Sequence, residues 1–390
     1  MNQNRPLLFV LPRWYPTALD QMLGLFVVQH NKALQRHFEV VVIYLHQGTT
    51  ARPDEWSTED GIPVYRSYLV NKTGILGPLI NPFRYVIRHL QLIVFVAKRH
   101  KWPTAFLVQV GGRTLVAPFL CKCFVGIPYF VLEHWSRYLP VNHAFFQSPI
   151  KKKILQFLVR RSNSLAAVTQ ALLNGMGQLG ISHPTSVIIP NAIDNQRFAI
   201  TPYAKRPYLT FLNVGCFDEK AKNNAGLLRA FKQFQAKYPD SKLVMVGTGV
   251  DFETTKRMAQ ELDLAPNHVE FKGELSGDEL VQCYQSCTAL VIFSHYETQG
   301  IVVLEALSCG RPVVGSNVGG LPEIIKKPWG LLVADGDEHQ LVLAFEQLMA
   351  NQDDFLQGAE EGRQWVIDNF SIEAISNKLQ QWILTNLNSA

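Results

Sequence analysis

The chain has 390 residues, 47% of them hydrophobic and 18% charged, which is enough for two Rossmann-sized domains and too apolar for a disordered chain. No uncharged apolar run reaches the length of a membrane-spanning helix; the strongest, residues 90–97, is bracketed by Arg88, His89, Lys98 and Arg99. The net charge of +5 conceals a division, because residues 1–190 carry 20 Lys and Arg against 7 Asp and Glu, while residues 191–390 carry 17 against 25.

Between residues 61 and 193 the one acidic side chain is Glu133, against fifteen Lys and Arg. The first half is therefore drawn to an anion, whether nucleic acid, an acidic lipid surface or a lipid-diphosphate acceptor. No zinc-finger spacing and no aromatic RNP-like sequence supports nucleic acid. The six cysteines show neither Cys-x2-Cys spacing nor a secreted framework, so reduced thiols and no structural zinc are expected. Residues 1–6 lead straight into the apolar residues 7–11, too short a run for a signal sequence. The expected location is cytoplasmic, with association at the inner face of the membrane.

In chain order, residues 7–11 read as a buried strand, residues 24–35 as a helix and residues 39–45 as the next strand, the opening of a doubly wound parallel sheet. Residues 81–98 form an amphipathic helix with a cationic rim of Arg84, Arg88 and Lys98. With Lys151, Lys152, Lys153, Arg160 and Arg161 it offers a surface for peripheral contact with an anionic membrane; the plainer reading is a solvated charged face. Residues 106–110 and 128–132 read as strands, the second running into Glu133 and His134, at the edge where an open parallel sheet binds ligands. Residues 165–169 are a strand and 171–179 a helix, and residues 201–207, with two prolines and no apolar period, read as an interdomain connection.

A second domain starts with the strand 209–214, which runs into Gly215 and is followed by Lys220, Lys222 and the helix 226–231. Residues 243–246 lead into Gly247-Thr248-Gly249, but no third glycine completes a dinucleotide fingerprint, which disfavours a nicotinamide dehydrogenase. Residues 269–275 precede a helix from about Asp278, and Asp335-Gly336-Asp337 reads as a surface turn rather than a metal site. The tail 371–387, with Ile375, Leu379, Trp382 and Ile383, reads as an amphipathic helix.

The organising stretch is residues 294–312. After the strand 289–293, residues 294–299 read as a loop and 301–307 as a buried helix stopped by Gly310 and Pro312. Glu305 is the one charge between Gln299 and Gly310, and a carboxylate in such a run requires a hydrogen-bonding partner. Glu297 lies eight residues before it, on the order of 10–12 Å away if helical rise applies, about the span from a nucleotide's ribose to the sugar on its diphosphate. The amides of Gly300, Ile301 and Val302 between the two can hold a phosphate. The alternative is an ordinary buried helix whose Glu305 pairs with a Lys or Arg and whose Glu297 is solvated.

Glu297, seven residues, Glu305-Ala306 and then Gly310-Arg311-Pro312-Val313-Val314 resembles the Glu-x7-Glu signature of the retaining glycosyltransferases of family four. Trp14-Tyr15-Pro16 with Gly24, the 187–194 strand and Pro-Asn turn, and the Gly319-Gly320 loop are similar to other parts of that family. The resemblance implies a GT-B fold, α/β with two Rossmann-like doubly wound parallel-sheet domains facing a cleft. It implies an acceptor domain over 1–200, a nucleotide-sugar domain over 207–370, and a helix over 371–390 crossing back to the first. It further implies that Glu297, His134 and Lys222 are catalytic, and that Gly24, Gly215, Leu275, Thr298, Gln299, Gly300, Ile301 and Glu305 bind the nucleotide-sugar. In the family an arginine follows the glycine matched by Gly215; here Cys216 stands in its place, leaving Lys220 as a substitute.

The expected activity is metal-independent, retaining transfer of a sugar from a nucleotide-sugar donor to a glycan or lipid-linked acceptor in cell-envelope polysaccharide or glycolipid assembly. No cofactor is implied, since lysine and helix amides neutralise the diphosphate. A nucleotide-sugar epimerase and a non-catalytic nucleotide-sugar-binding protein remain as rivals.

Overall fold

A computed structural model describes residues 5–201, 208–264 and 266–387. The expected connection at 201–207 lies, Thr201 apart, outside the described residues. The chain divides into two compact units, one running to Ala192 and resuming at Ile372, the other Ile193–Ser371. The division thus falls at Ala192 rather than at 200. The amide of Ile193 donates to the Phe370 carbonyl (2.8 Å), Phe198 packs edge-on against Tyr284 (5.7 Å), and Arg311 holds the Thr201 hydroxyl (3.1 Å). Residues 193–201 are therefore fastened to the second unit before the connection begins.

The first unit contains β1 (Leu7–Pro12), β2 (Glu39–Gly48), β3 (Glu55–Glu59), β4 (Ile62–Val70), β5 (Ala105–Gln109), β6 (Tyr129–Glu133), β7 (Ser164–Ala167) and β8 (Ser186–Ile188). They form an eight-stranded sheet among the described residues, in the order β3-β4-β2-β1-β5-β6-β7-β8, parallel except for the β3–β4 pair. β1, β5 and β6 are buried along their whole length, as strands covered on both faces must be. The β3–β4 hairpin was not expected. Its turn is Asp60-Gly61, both in the left-handed region at φ 49° and 79°, and an Asp-Gly pair between strand-like runs was the available signal.

The helix Ile372–Asn386 packs in this unit against the helix Leu25–Gln35. Its Ile375, Leu379, Trp382 and Ile383 complete the core on one face of the sheet. The Trp382 indole donates to Ser164 Oγ (2.7 Å), which satisfies its buried N–H.

The second unit contains β9 (Thr210–Val214), β10 (Lys242–Val246), β11 (Val269–Gly273), β12 (Ala289–Ile292), β13 (Val313–Ser316) and β14 (Gly330–Val333). All pairs are parallel, in the order β11-β10-β9-β12-β13-β14. Apolar clusters cover both faces, one around Phe211, Phe231, Phe234 and Phe345, the other around Leu304, Leu307, Tyr284 and Trp329. In each sheet the strand order reverses beside the first strand, between β1 and β5 and between β9 and β12. The crevice at such a point, at the strands' C-terminal ends, is where these sheets bind ligands.

Candidate functional site

In the second unit the reversal brings together the residues that follow β9 and β12. Gly215 follows β9 directly, and Lys222 closes the short helix Glu219–Lys222. That helix is tied at both ends: Glu219 N donates to Asp251 (2.8 Å), and the Ala221 carbonyl accepts from the His295 amide of the loop after β12 (2.8 Å). Lys222 Nζ donates to Glu297 Oε1, which also accepts from Ser294 Oγ (3.2 Å). Both side chains are largely withdrawn from solvent, at 20% and 13% exposure. Burial pulls the Lys222 ammonium down, but the charge and hydrogen bond of Glu297 outweigh it and the net shift is upward. Glu297 is thus ion-paired rather than solvated.

The backbone at Glu297 is held from the far side by a glycine loop. The Gly320 amide donates to the Glu297 carbonyl (3.1 Å), and a side chain on Gly319 would place its Cβ 1.9 Å from that same oxygen. Gly300, left-handed at φ 78°, caps the helix Ile301–Ser308. The helical rise therefore applies only from Ile301, and Glu297 sits in an irregular loop before it. The amides that open this helix lack partners within it. Gln299 is buried and Thr298 partly buried in the same loop.

Glu305 finds its partner in a phenol rather than a cation. The Tyr284 hydroxyl donates to Glu305 Oε2 at 2.5 Å. Burial raises the Glu305 carboxyl, while Tyr284 and the charge of Arg197 work against that rise. Tyr284 is itself held by Arg311, whose Nε donates to the Tyr284 carbonyl (3.2 Å) and whose Nη2 donates to the Gln285 carbonyl (2.5 Å). Tyr284 was missed in the sequence because a tyrosine in an amphipathic helix carries no mark of a carboxylate partner.

Cys216 is exposed, and so is Lys220. Leu275 is partly buried against the cluster around Leu304 and Tyr284. Asp337 caps the helix Glu338–Ala350 through the Gln340 amide (2.9 Å), and Asp335 pairs with His295 Nδ1 (2.7 Å), so the Asp-Gly-Asp turn braces the Glu297 loop.

In the first unit, His134 follows β6 and is buried. Its Nδ1 meets Asn191 Oδ1 at 2.9 Å, its ring lies 4.4 Å from Phe26, and Nε2 has no partner among the described residues. Burial, then the neighbouring His30, hold its pKa well below 6.5, so the ring is neutral. With Nδ1–H donating to the Asn191 oxygen, Nε2 is an acceptor. Gly24, at φ 75°, would drive a Cβ to 2.5 Å from the Trp14 carbonyl, so packing on Trp14 already requires a glycine there. Glu133 accepts from three backbone amides, those of Gly111 (2.9 Å), His134 (3.0 Å) and Trp135 (3.1 Å).

Residues 193–365, almost the whole second unit, match the family model for glycosyl transferases group 1. Over those residues the chain is similar to group 1 glycosyltransferases. Relatives of the chain include a GDP-mannose-dependent alpha-(1-6)-phosphatidylinositol monomannoside mannosyltransferase of Mycolicibacterium smegmatis, 30% identical over 47% of this chain and 52% of that protein. Another is the 2-deoxystreptamine glucosyltransferase of Streptomyces kanamyceticus, 25% identical over 71% of this chain and 76% of that protein. The chain spans from about half to three quarters of the length of these curated relatives. Among solved structures, HepE of Anabaena in complex with UDP and glucose superposes with a TM-score of 0.74 at 18% identity, covering 98% of this chain and all of the other (100%). Sucrose-phosphate synthase of Thermosynechococcus elongatus does so with 0.76 at 20%, covering 99% and 100%. The chain has the GT-B fold, two parallel-sheet α/β domains. No helix among its described residues is long and apolar enough to cross a membrane.

Proposed function

We propose that the protein transfers a sugar, with retention of anomeric configuration and without a metal, from a nucleotide-sugar to a hydroxyl of a glycan or lipid-linked acceptor. The observation that carries this reading is the meeting of Lys222, Glu297 and the start of the helix Ile301–Ser308 at the strand reversal between β9 and β12. A diphosphate fits a lysine beside uncommitted helix amides, which stabilise the charge of the departing group. Glu305, kept partly buried beside Tyr284, is suited to accept from paired ribose hydroxyls. Glu297, released in part from Lys222 by the incoming diphosphate, and His134 through Nε2 are suited to orient the sugar. Gly215, Leu275, Thr298 and Gln299 complete the donor's surroundings in this reading, and Gly24 serves it through the Trp14 loop. The leaving phosphate accepts the acceptor's proton, so no separate base is assigned.

The relatives named for phosphatidylinositol mannoside and aminocyclitol support an acceptor that is a glycolipid or a small polyol. Peripheral attachment to an anionic membrane, and with it a cytoplasmic place at the inner face, is part of the proposal. It is supported by the exposed Leu79, Phe83 and Ile87 of the helix Gly77–His100 and the exposed Ile150, Ile154 and Phe157 of the helix Pro149–Arg160, which alternate with Lys and Arg.

The test is a panel of nucleotide-sugars assayed for hydrolysis and for transfer to lipid-linked and polyol acceptors. Turnover with one donor that Glu297→Ala abolishes while nucleotide still binds supports the reading. Binding without turnover of any donor, or donor conversion with no acceptor and no hydrolysis, would leave the binding-protein or epimerase reading instead.

A further inference from the structure

The strand reversal of the first unit gathers cations as the second gathers carboxylates. Arg13 follows β1, Arg113 follows β5 and Arg137 follows β6. Arg13 and Arg137 both lie over the Trp135 ring, 4.6 and 4.0 Å from its centre, and Arg113 lies 4.8 Å from the Tyr85 ring. None of the three forms an ion pair with a carboxylate among the described residues. The nearest acid is Glu133, whose oxygens are occupied by amides. Burial first, and then the charges of Arg137 and Arg113, depress the Arg13 guanidinium. The cluster repels itself, and a bound anion would relieve it.

Two cavities meet at these arginines. The larger, about 520 Å³, is lined by the cations Arg13, Arg113, Arg137, Lys151 and Lys152 and by apolar side chains that include Phe145 and Leu155, with no acid. The smaller, about 270 Å³, shares Arg13 and Arg113 but is walled by Tyr44, His46, Gln47 and Tyr85. Both amide atoms of Gln47 are buried there without partners among the described residues, and such groups are costly unless a ligand satisfies them.

We propose that these cavities hold a phosphoryl-bearing amphiphile, with the phosphoryl group on Arg13, Arg113 and Arg137, the apolar chain in the larger cavity and a hydroxyl-bearing headgroup in the smaller. The proposal rests on the transferase reading in one respect, that this amphiphile is the sugar acceptor. Three arginines read a tetrahedral anion through forked N–H groups, and a mostly apolar cavity that also carries five cations matches a molecule with one anionic group and an apolar chain.

Isothermal titration of the full chain with dodecyl phosphate below its micellar concentration, inorganic phosphate and dodecyl maltoside tests this. Dodecyl phosphate is expected to bind with unit stoichiometry and at least about tenfold more tightly than either of the others, the worth of one charge-assisted contact. Arg113→Gln/Arg137→Gln, checked for an unchanged thermal melt, should weaken it about tenfold or more. Phe145→Ala, at an exposed position where folding is safe, should weaken dodecyl phosphate and leave inorganic phosphate as it was. Equal binding of dodecyl maltoside, equal binding of inorganic phosphate, or indifference to the arginine changes would each overturn the proposal. Nucleotide-sugar turnover by the unaltered chain, as hydrolysis or as transfer to lipid-linked and polyol acceptors, is followed in parallel. Arginine-dependent binding without turnover would support the cavities and sink the transferase reading; turnover without arginine-dependent binding would sink the cavities alone.

Discussion

Gly319→Ala is the sharpest perturbation of the loop that carries Glu297. The position has φ 52°, and an added Cβ would lie 1.9 Å from the Glu297 carbonyl oxygen and 3.0 Å from its carbon. A left-handed alanine costs about 1 kcal/mol, and an overlap that backbone motion alone can relieve adds roughly 1–3 kcal/mol. Displacing the carbonyl also loses the Gly320–Glu297 hydrogen bond, about 1 kcal/mol more. The control is Gly273→Ala in the same unit, at φ 68° but with no atom within 4 Å, which incurs only the conformational cost of about 1 kcal/mol. At about 2–4 °C per kcal/mol for a unit of this size, Gly319→Ala should lower the melting temperature by roughly 6–20 °C and Gly273→Ala by roughly 2–4 °C. If the loop yields by moving Glu297 instead of unfolding, the loss appears in turnover, about a hundredfold for a 1 Å misplacement. Differential scanning calorimetry with transfer kinetics on both variants decides it. Equal melting and equal turnover for the pair would refute the claim that Gly319 positions Glu297.

Lys222→Met strands a buried carboxylate and should cost about 3 kcal/mol, while Lys222→Met/Glu297→Gln should recover most of it; denaturant midpoints for the cycle measure the coupling, and additive losses would deny the pair. Glu305 has a folded pKa above the ordinary 4.5, so its contribution is most favourable at low pH and declines as pH rises through the folded value. The melting temperature of Glu305→Gln relative to the parent should accordingly climb from pH 4 to pH 7, and a flat difference would contradict the assignment. Fully buried His89 is pushed down by burial from 6.5 to about 4. Its neutral form stabilises the fold above pH 6.5, and on the order of 3 kcal/mol is lost as the pH falls to 4. His89→Phe should flatten that slope in pH-dependent urea titrations.

The buried parallel strands were legible because each is a short apolar run ending in glycine or a polar turn, as with residues 209–214 and 243–246. The edge hairpin was not, because half-exposed strands such as β3 lack such a run, although Asp60-Gly61 marked its turn. Lys222 and Glu297 were each readable, but their ion pair joins residues 75 positions apart, and only the crossing of β9 and β12 brings them together. Tyr284, Arg311 and Gly319 act through contacts whose partners carry no local pattern. The three arginines of the first unit were counted as charge without being seen as a cluster. Their signal was positional, since each stands within a few residues of a strand's C-terminal end, Arg13 after β1, Arg113 after β5 and Arg137 after β6.

The unequal charge of the two halves takes on a specific meaning at these crossings. In the first unit the lone acid of a long cationic stretch is spent on three amides that shape the turn after β6, so it forms no ion pair with a guanidinium among the described residues, and its charge offsets only part of the repulsion at Arg13. Holding Arg13, Arg113 and Arg137 together without a counter-ion costs stability, and folding alone supplies no reason to accept that cost. In the second unit each carboxylate at the crossing is held by side-chain donors, Lys222 and Ser294 for Glu297 and Tyr284 for Glu305. A lysine already held by one carboxylate is oriented before a diphosphate arrives and need only redistribute its hydrogen bonds, which lowers the ordering cost of binding. One sheet thus leaves its cations unpaired and the other keeps its acids paired. That asymmetry is what a donor brought by its phosphates and an acceptor brought by its own anion would each require.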